Sequence, residues 1–328
     1  MQPSRQIGTH GPRVSTIGLG CMALAGSYGA APQVDAARIV GEAADAGVTH
    51  FDTADVYGGG ANESLIGSAL KPWRDKVVVA TKGGATRGPD GTPSNNGRPD
   101  YLKKACEASL RRLGMDCIDL YYLHRVDPEV PIEESVGALA QLVQKGKVRW
   151  IGLSEVTEAT LRRAHAVHPI SAVQTEYSLT CRHVESGILS ACQELGVGFV
   201  AYSPLGRGML SGGLVRGTAF QAGDVRLGIP RFSAEHLESN LVFADEFGDV
   251  ARELGLTPSQ LALAWVLAQA EHIVTIPSTR RAARLHENMQ ASRVTLPHDV
   301  ARRIGERFGP QRMHGARHSA QMLSRTDL

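Results

Sequence analysis

The chain has 328 residues, 42% of them apolar and 21% charged, and carries a formal net charge of +2. That length suits one large α/β barrel or two medium domains, and the apolar share supports a sizeable core. The near balance of charge, without a long basic stretch, argues against a nucleic-acid partner, and the longest apolar run, 261–268, is too short to span a bilayer.

Short β-like runs alternate with longer helical patterns from the start. Residues 14–19 predict a first strand, 36–46 a helix stopped by Gly47, and 48–51 a second strand. A helix follows over 62–70. Val77, Val78 and Val79 form the body of a β-branched strand over 76–80. Residues 99–113 read as a helix with Pro99 near its start and Gly114 at its end. Then come a buried strand over 118–123 and a helix over 132–145, closed by Gly146. The second half repeats the rhythm: strand 148–153, helix 157–166, strand 172–175, helix 184–195 closed by Gly196, and strand 197–201. Helix 258–270 follows, with Thr257 as its N-cap, then strand 272–276 and helix 280–289.

Eight strand-then-helix units predict an all-parallel sheet closed into a (β/α)8 barrel, a single domain without a linker. An open doubly wound sheet is the runner-up. Its first turn should carry G-x-G-x-x-G, and the run from Gly18 to Ala23 lacks the third glycine. Two stretches break the rhythm. Residues 203–232 are Gly-rich and aperiodic, and an extra helix-like segment covers 234–254. The tail from about 309 is polar and irregular, either disordered or folded over the pocket.

The five cysteines are odd in number and contain no C-x-x-C pair, so reduced thiols in a cytoplasmic protein are expected rather than disulfides or a thiolate metal site. The first twenty residues hold no apolar core of signal-peptide type.

A barrel of this kind places its active site where strands end and βα loops begin. The predicted strand ends carry Asp52 and Tyr57, Lys82, His124 and Arg125, Ser154 and Glu155, Gln174 and Glu176, Tyr202 and Ser203, and Ser278 to Arg280. Taken singly, each has a plain structural explanation: a turn aspartate, a solvated lysine, a satisfied core histidine. Together, four complementary ionisable groups share one face. A free tyrosine has a pKa of about 10, too high for easy proton donation near neutrality. A nearby ammonium favours the phenolate, and Asp52 supplies the counter-ion that a partly buried Lys82 needs. A histidine beside the tyrosine can orient a carbonyl. The hydride that carbonyl reduction needs has no side-chain source, so a nicotinamide cofactor is required.

At this point the residues resemble the aldo-keto reductase family. The segment from Phe51 to Gly58 is similar to its signature around aspartate and tyrosine, Ala80-Thr81-Lys82 to its lysine segment, and Leu120 to His124 to its histidine segment. The resemblance runs from Ile17 to about Asn288. It implies that Tyr57 is the general acid, that Lys82 and Asp52 tune it, and that His124 orients the carbonyl, with no metal involved. It further implies that Ser154 and Gln174 hold the nicotinamide carboxamide and that Tyr202 stacks on the ring. Ser203, Leu205 and Gly206 would cover the pyrophosphate, with Arg207 adding a charge. Ser278, Thr279, Arg280 and Arg284 would form the adenosine-phosphate pocket, with Glu287 and Asn288 on adenine. Two arginines on one helix turn favour NADPH over NADH, because guanidinium forks suit a phosphate dianion.

One departure stands out. Many family members carry Asn after the serine of strand five, and here the residue is Glu155. A carboxylate cannot donate to a carbonyl oxygen, though it can accept from the carboxamide nitrogen. The run from Gly206 to Leu210 resembles the branch of pyridoxal reductases and bacterial aldehyde reductases. Met22, Tyr28, Arg125 and Arg231 are expected to line the substrate end. Small aldehydes, pyridoxal-like aldehydes and α-dicarbonyls all stay open as substrates, as does the oligomeric state. Two rivals remain. A Schiff-base aldolase using Lys82 would leave the 280–288 cluster and Tyr202 without a role. An NADPH-binding regulatory protein like the potassium-channel β subunits would keep the same residues and turn over slowly.

Overall fold

In a computed structural model that describes residues 2–29, 33–88 and 92–327, the chain begins with an antiparallel hairpin of β1 (Ser4–Gln6) and β2 (Arg13–Ser15). The barrel strands that follow are β3 (Leu19–Gly20), β4 (His50–Asp52) and β5 (Val78–Gly83). A second hairpin, β6 (Ala85–Arg87) with β7 (Pro93–Asn95), is inserted before β8 (Ile118–Leu123). Then come β9 (Val148–Ser154), β10 (Ala172–Glu176), β11 (Gly198–Tyr202) and β12 (Ile273–Thr275). The helices are α1 (Gln33–Asp45), α2 (Ala61–Ala69), α3 (Pro99–Leu113), α4 (Ile132–Gln144), α5 (Glu158–Val167), α6 (Ile188–Glu194), α7 (Ala234–Glu253), α8 (Pro258–Ala268), α9 (Ala282–Gln290), α10 (His298–Arg307) and α11 (Ala320–Leu323).

Eight strands, β3, β4, β5 and β8 to β12, pair in parallel in chain order. The first and last meet as well: Gly18 N donates to Thr275 O (2.8 Å), Thr275 N to Thr16 O (3.0 Å) and Gly20 N to Pro277 O (3.1 Å). The sheet is therefore closed, the predicted (β/α)8 barrel, and it has no open edge there.

Period-two alternation sorts the side chains. Along β8, Leu120 and Tyr122 join an inner cluster with Ala80, Ala172, Val200 and Val274, while Tyr121 and Leu123 join the larger cluster under the helices. The hairpin residues Ile7 and Val14 belong to the inner cluster. Packing is close: a Cβ added to Gly152 would lie 2.5 Å from the Tyr122 ring, so only glycine fits beside that tyrosine.

Local signals explain several helix ends. Thr257 and Gln260 form the capping box that opens α8, in line with the expected N-cap. Gly114 closes α3 in a left-handed conformation that returns its N–H to Arg111.

The predicted strand over 14–19 is divided between β2 and β3. The predicted strand over 76–80 lies later, because pairing with β8 extends through Lys82 and Gly83. The predicted helix over 184–195 breaks at Gly187 (φ 146°) into a 3₁₀ turn and α6. Among the described residues, no helix is long and apolar enough to cross a membrane.

The tail is ordered and folds back over the barrel. Arg317 bridges Glu155 (2.8 Å) and Glu176 (3.4 Å), His318 Nε2 lies 3.3 Å from Glu176, and Arg207 holds the same carboxylate at 3.1 Å. Asp327 accepts from Thr157 N (3.1 Å) and Oγ1 (3.0 Å) at the start of α5. Glu155 and Glu176 are buried, which opposes their charge, yet both carboxylates stay below their ordinary range: Arg125 and then Arg317 hold Glu155 there, and Arg207, His318 and Arg317 hold Glu176. Arg317→Ala should strand Glu155 as a buried charge. We expect it to destabilise the protein by about 3–5 kcal/mol, read from urea melts.

Candidate active site

The alternation that fills the barrel also builds its carboxyl-terminal rim. Asp52 lies two residues beyond His50, Lys82 beyond Ala80, His124 beyond Tyr122, Ser154 beyond Gly152, Gln174 beyond Ala172 and Tyr202 beyond Val200. Each therefore continues the inward face of its strand, past the point where apolar side chains fill the interior. The register staggers these residues around the barrel: Asp52 pairs with Ala80, Lys82 with Tyr122 and Gln174 with Val200, each two residues short of the next rim side chain, whereas Ser154 pairs directly with Gln174.

A cavity of about 900 Å³ opens on this rim, within the range of small-molecule sites. Tyr57, His124, Arg125, Ser154, Gln174 and Tyr202 line one region, and Ser278 to Arg281, Arg284 and Asn288 line another.

Lys82 is 1% exposed. Its ammonium pairs with Asp52 and donates to the carbonyl of Thr53 at 2.8 Å. The other Asp52 oxygen accepts from Gln174 Nε2 at 2.8 Å. Burial disfavours the lysine charge, but Asp52 and the nearby Tyr57 more than offset it, and Lys82 stays cationic above its ordinary range. The ammonium lies 5.4 Å from the centre of the Tyr57 ring, and the Tyr57 and His124 rings meet edge-to-face at 6.1 Å.

Burial pushes the Tyr57 phenol up, with Lys82 and Arg125 opposing. The expected lowering by the ammonium is present, but burial outweighs it. His124 is held far below its ordinary range by burial and then by Arg125, Lys82 and Arg325, so its imidazole is neutral near pH 7. Its Nδ1 is buried without a partner among the described residues.

Strained backbone gathers in the loops at this rim. Glu155 (φ 55°), Ser203 (φ 48°) and Arg207 (φ 55°) are the described non-glycine residues in the left-handed region, and all follow barrel strands. Strain concentrated on one rim is a mark of a functional site. Ser203, Leu205 and Arg207 line the cavity, while Gly206 lies just behind. Arg280 donates to the carbonyls of Gly29 (2.9 Å) and Tyr28 (3.0 Å), pinning the loop after β3. Arg284 pairs with Glu287 at 2.7 Å, which leaves Glu287 outside the lining. Asn288 is 3% exposed, and neither its Oδ1 nor the Tyr202 hydroxyl has a hydrogen-bond partner among the described residues.

Most sequence-predicted residues thus converge, and Met22 and Tyr28 line the cavity as expected. Arg231 does not: it donates to Gly315 O at 3.2 Å and anchors the tail. Glu155 is turned away from the cavity toward Arg317 and Glu176 N. His318, Ser319, Met322 and Arg325 of the tail, and Arg226 of the long loop, line the cavity without a signal in the sequence. No group of three or more metal-ligating side chains occurs among the described residues.

The orphan acceptor of Asn288, the strained loop and the arginine side of the cavity fit an elongated anionic cofactor, and the tetrad end fits its reactive ring. Comparisons with known proteins agree. The model of the Aldo/keto reductase family matches residues 16–307. The chain is 47% identical over 311 residues to Probable aldo-keto reductase 1 of Glycine max, covering 93% of this chain and 88% of that one. Among solved structures, it is similar to a glycerol dehydrogenase from Gluconobacter oxydans (30% identity, TM-score 0.84, 94% and 96% covered). It is also similar to an aldo-keto reductase from Bacillus halodurans in its holo form (29%, 0.77, 94% and 97%).

The buried histidines predict an acid-sensitive fold. Both ring nitrogens of His50 lack a partner among the described residues, and burial lowers it to about 4. A histidine lowered in the native state contributes stability that is lost as pH falls below its unfolded value of about 6.5. The unfolding free energy read from urea melts should therefore drop between pH 6.5 and 4, by up to about 1.4 kcal/mol per pH unit for His50, and His50→Gln should make that slope shallower.

Proposed function

The chain belongs to the aldo/keto reductase family, oxidoreductases that act on small carbonyl compounds with nicotinamide cofactors, and on that premise we propose that it is an NADPH-dependent reductase of aldehydes or ketones with Tyr57 as its proton donor. The observation that carries this reading is the Asp52–Lys82 pair set beneath the Tyr57 ring on the wall of the cavity.

When bound, NADPH supplies a hydride to the carbonyl carbon. The protein's part is the proton. Tyr57, kept protonated by burial, gives its hydroxyl hydrogen to the carbonyl oxygen, and Lys82 stabilises the phenolate left behind. Asp52 and Gln174 fix the ammonium in place. Neutral His124 donates a second hydrogen bond to the carbonyl oxygen and orients it.

Ser154 and Gln174 would hold the carboxamide, and Tyr202 would stack on the ring. Ser203, Leu205, Gly206 and Arg207 would close over the pyrophosphate. Ser278, Thr279, Arg280 and Arg284 would take the adenosine phosphate, with Asn288 at the adenine, while Glu287, outside the cavity lining, holds Arg284 in place. Arginine forks favour a 2′-phosphate, hence NADPH.

Tyr57→Phe should lower turnover by about 10²–10⁴ while leaving NADPH affinity within a few-fold, measured by absorbance at 340 nm and by fluorescence titration. Undiminished turnover would remove Tyr57 from the role. Wild-type kcat/KM should stay level from about pH 6 to 9 and fall only above about pH 10, since a raised phenol gives up its proton late. Arg284→Ala should weaken NADPH by about tenfold or more and NADH little, and equal weakening would move the 2′-phosphate contact elsewhere.

A further inference from the structure

The arginines that line the cavity differ in what they hold, and Arg280 is already engaged by the carbonyls of Tyr28 and Gly29. Arg207, Arg226 and Arg284 each hold a carboxylate, Glu176, Asp224 and Glu287 respectively. Arg125 and Arg325 hold none among the described residues. Arg125 is 9% exposed, sits directly after His124, and donates to the His124 carbonyl (2.6 Å) and to Ser154 Oγ (3.2 Å). The carboxylate nearest in charge, Glu155, is engaged by Arg317. Arg325, half-buried in the tail, reaches the cavity from the opposite side of the chain and donates to Asn95 Oδ1 at 2.8 Å.

The two belong to one structure. Asn95 accepts from Arg325 and donates its amide to Val126 O at 2.8 Å, next in sequence to Arg125. Arg125 and Arg325 both lower His124, and Arg125 disfavours the charge of Arg325. Two like charges held together against partial desolvation lose stability unless an anion joins them. Arg125 is felt by both Tyr57 and His124, Arg325 is felt by His124, and all four side chains line the same cavity.

We propose that Arg125 and Arg325 receive an anionic group, carboxylate or phosphate, borne by the carbonyl substrate. The substrate class is then aldehydes or ketones with an acidic substituent, held at one end by two guanidinium forks while the carbonyl faces Tyr57. The proposal builds on the reductase reading of the same cavity. The tail supplies one of the two forks, so its folding over the barrel completes the substrate site.

The test compares 4-formylbenzoate and 4-formylphenyl phosphate with the neutral methyl 4-formylbenzoate, each with NADPH and the full-length protein. The wild type should favour at least one anionic aldehyde by about tenfold or more in kcat/KM, carried by KM, and the better of the two identifies the anion. Arg325→Gln should collapse that ratio, and Arg325→Lys should keep part of it. Because the neutral ester is the internal reference, a general folding defect would lower all three rates and leave the ratio intact. Equal or better use of the ester by the wild type, or an unchanged ratio in Arg325→Gln, would overturn the proposal. Should none of the three turn over, the reductase reading fails, and calorimetry decides the anion pocket separately. Binding of 4-formylbenzoate that Arg325→Gln weakens about tenfold supports it. Absence of binding, or binding indifferent to the substitution, overturns it.

Discussion

The active rim depends on one buried ion pair. Lys82 and Asp52 are both almost fully excluded from solvent, and neither charge would be tolerable there without the other. Everything at this end of the barrel is arranged around keeping that pair satisfied. Thr53 gives the ammonium a carbonyl, Gln174 gives the carboxylate an amide, and Tyr57 lies over the ammonium. A hydrophobic replacement would cost less to fold. A cation kept charged beneath a phenol makes chemical sense when that phenol has to release a proton and carry negative charge for a moment.

The barrel puts this pair where it can act. The staggered strand pairing brings six polar side chains to one rim, each two residues beyond an inward-facing residue of its own strand, and the loops after those strands wall the cavity. The second half of the cavity is made differently. Loops in left-handed conformations at Glu155, Ser203 and Arg207 are held by ion pairs at Glu155 and Arg207 rather than by packing alone. The cluster of Glu155, Glu176, Arg207, Arg317 and His318 locks the tail to the barrel and shapes the cavity at once.

The rim is legible in the sequence and the tail is not, for physical reasons. Asp52, Lys82, His124 and Tyr202 can be placed because an inward residue recurs every second position, and the βα rhythm says where each strand ends. The shift of β5 is less visible: Lys82 and Gly83 do not look like strand residues, and only pairing with β8 makes them so. The break at Gly187 hides in a helical pattern that continues on both sides. Glu155 reads as a displaced carboxamide ligand because its partner, Arg317, lies 162 residues later in a segment without periodicity. Arg231 is misplaced for the same reason, since it faces Gly315 of the tail. Arg325 carries no local sign at all.

The central claim is that Lys82 acts through its charge on Tyr57, and Lys82→Met in NADPH-dependent aldehyde reduction tests it most directly. Met keeps much of the side chain's length and removes the cation. Asp52→Asn in the same protein removes the carboxylate that would otherwise be left unpaired. With folding verified by circular dichroism and NADPH affinity held within a few-fold, the double variant should lose about 10²-fold or more in turnover at pH 7. Turnover within a few-fold of wild type would contradict the claim: the buried pair would then serve the fold alone, and Tyr57 would release its proton without help from Lys82.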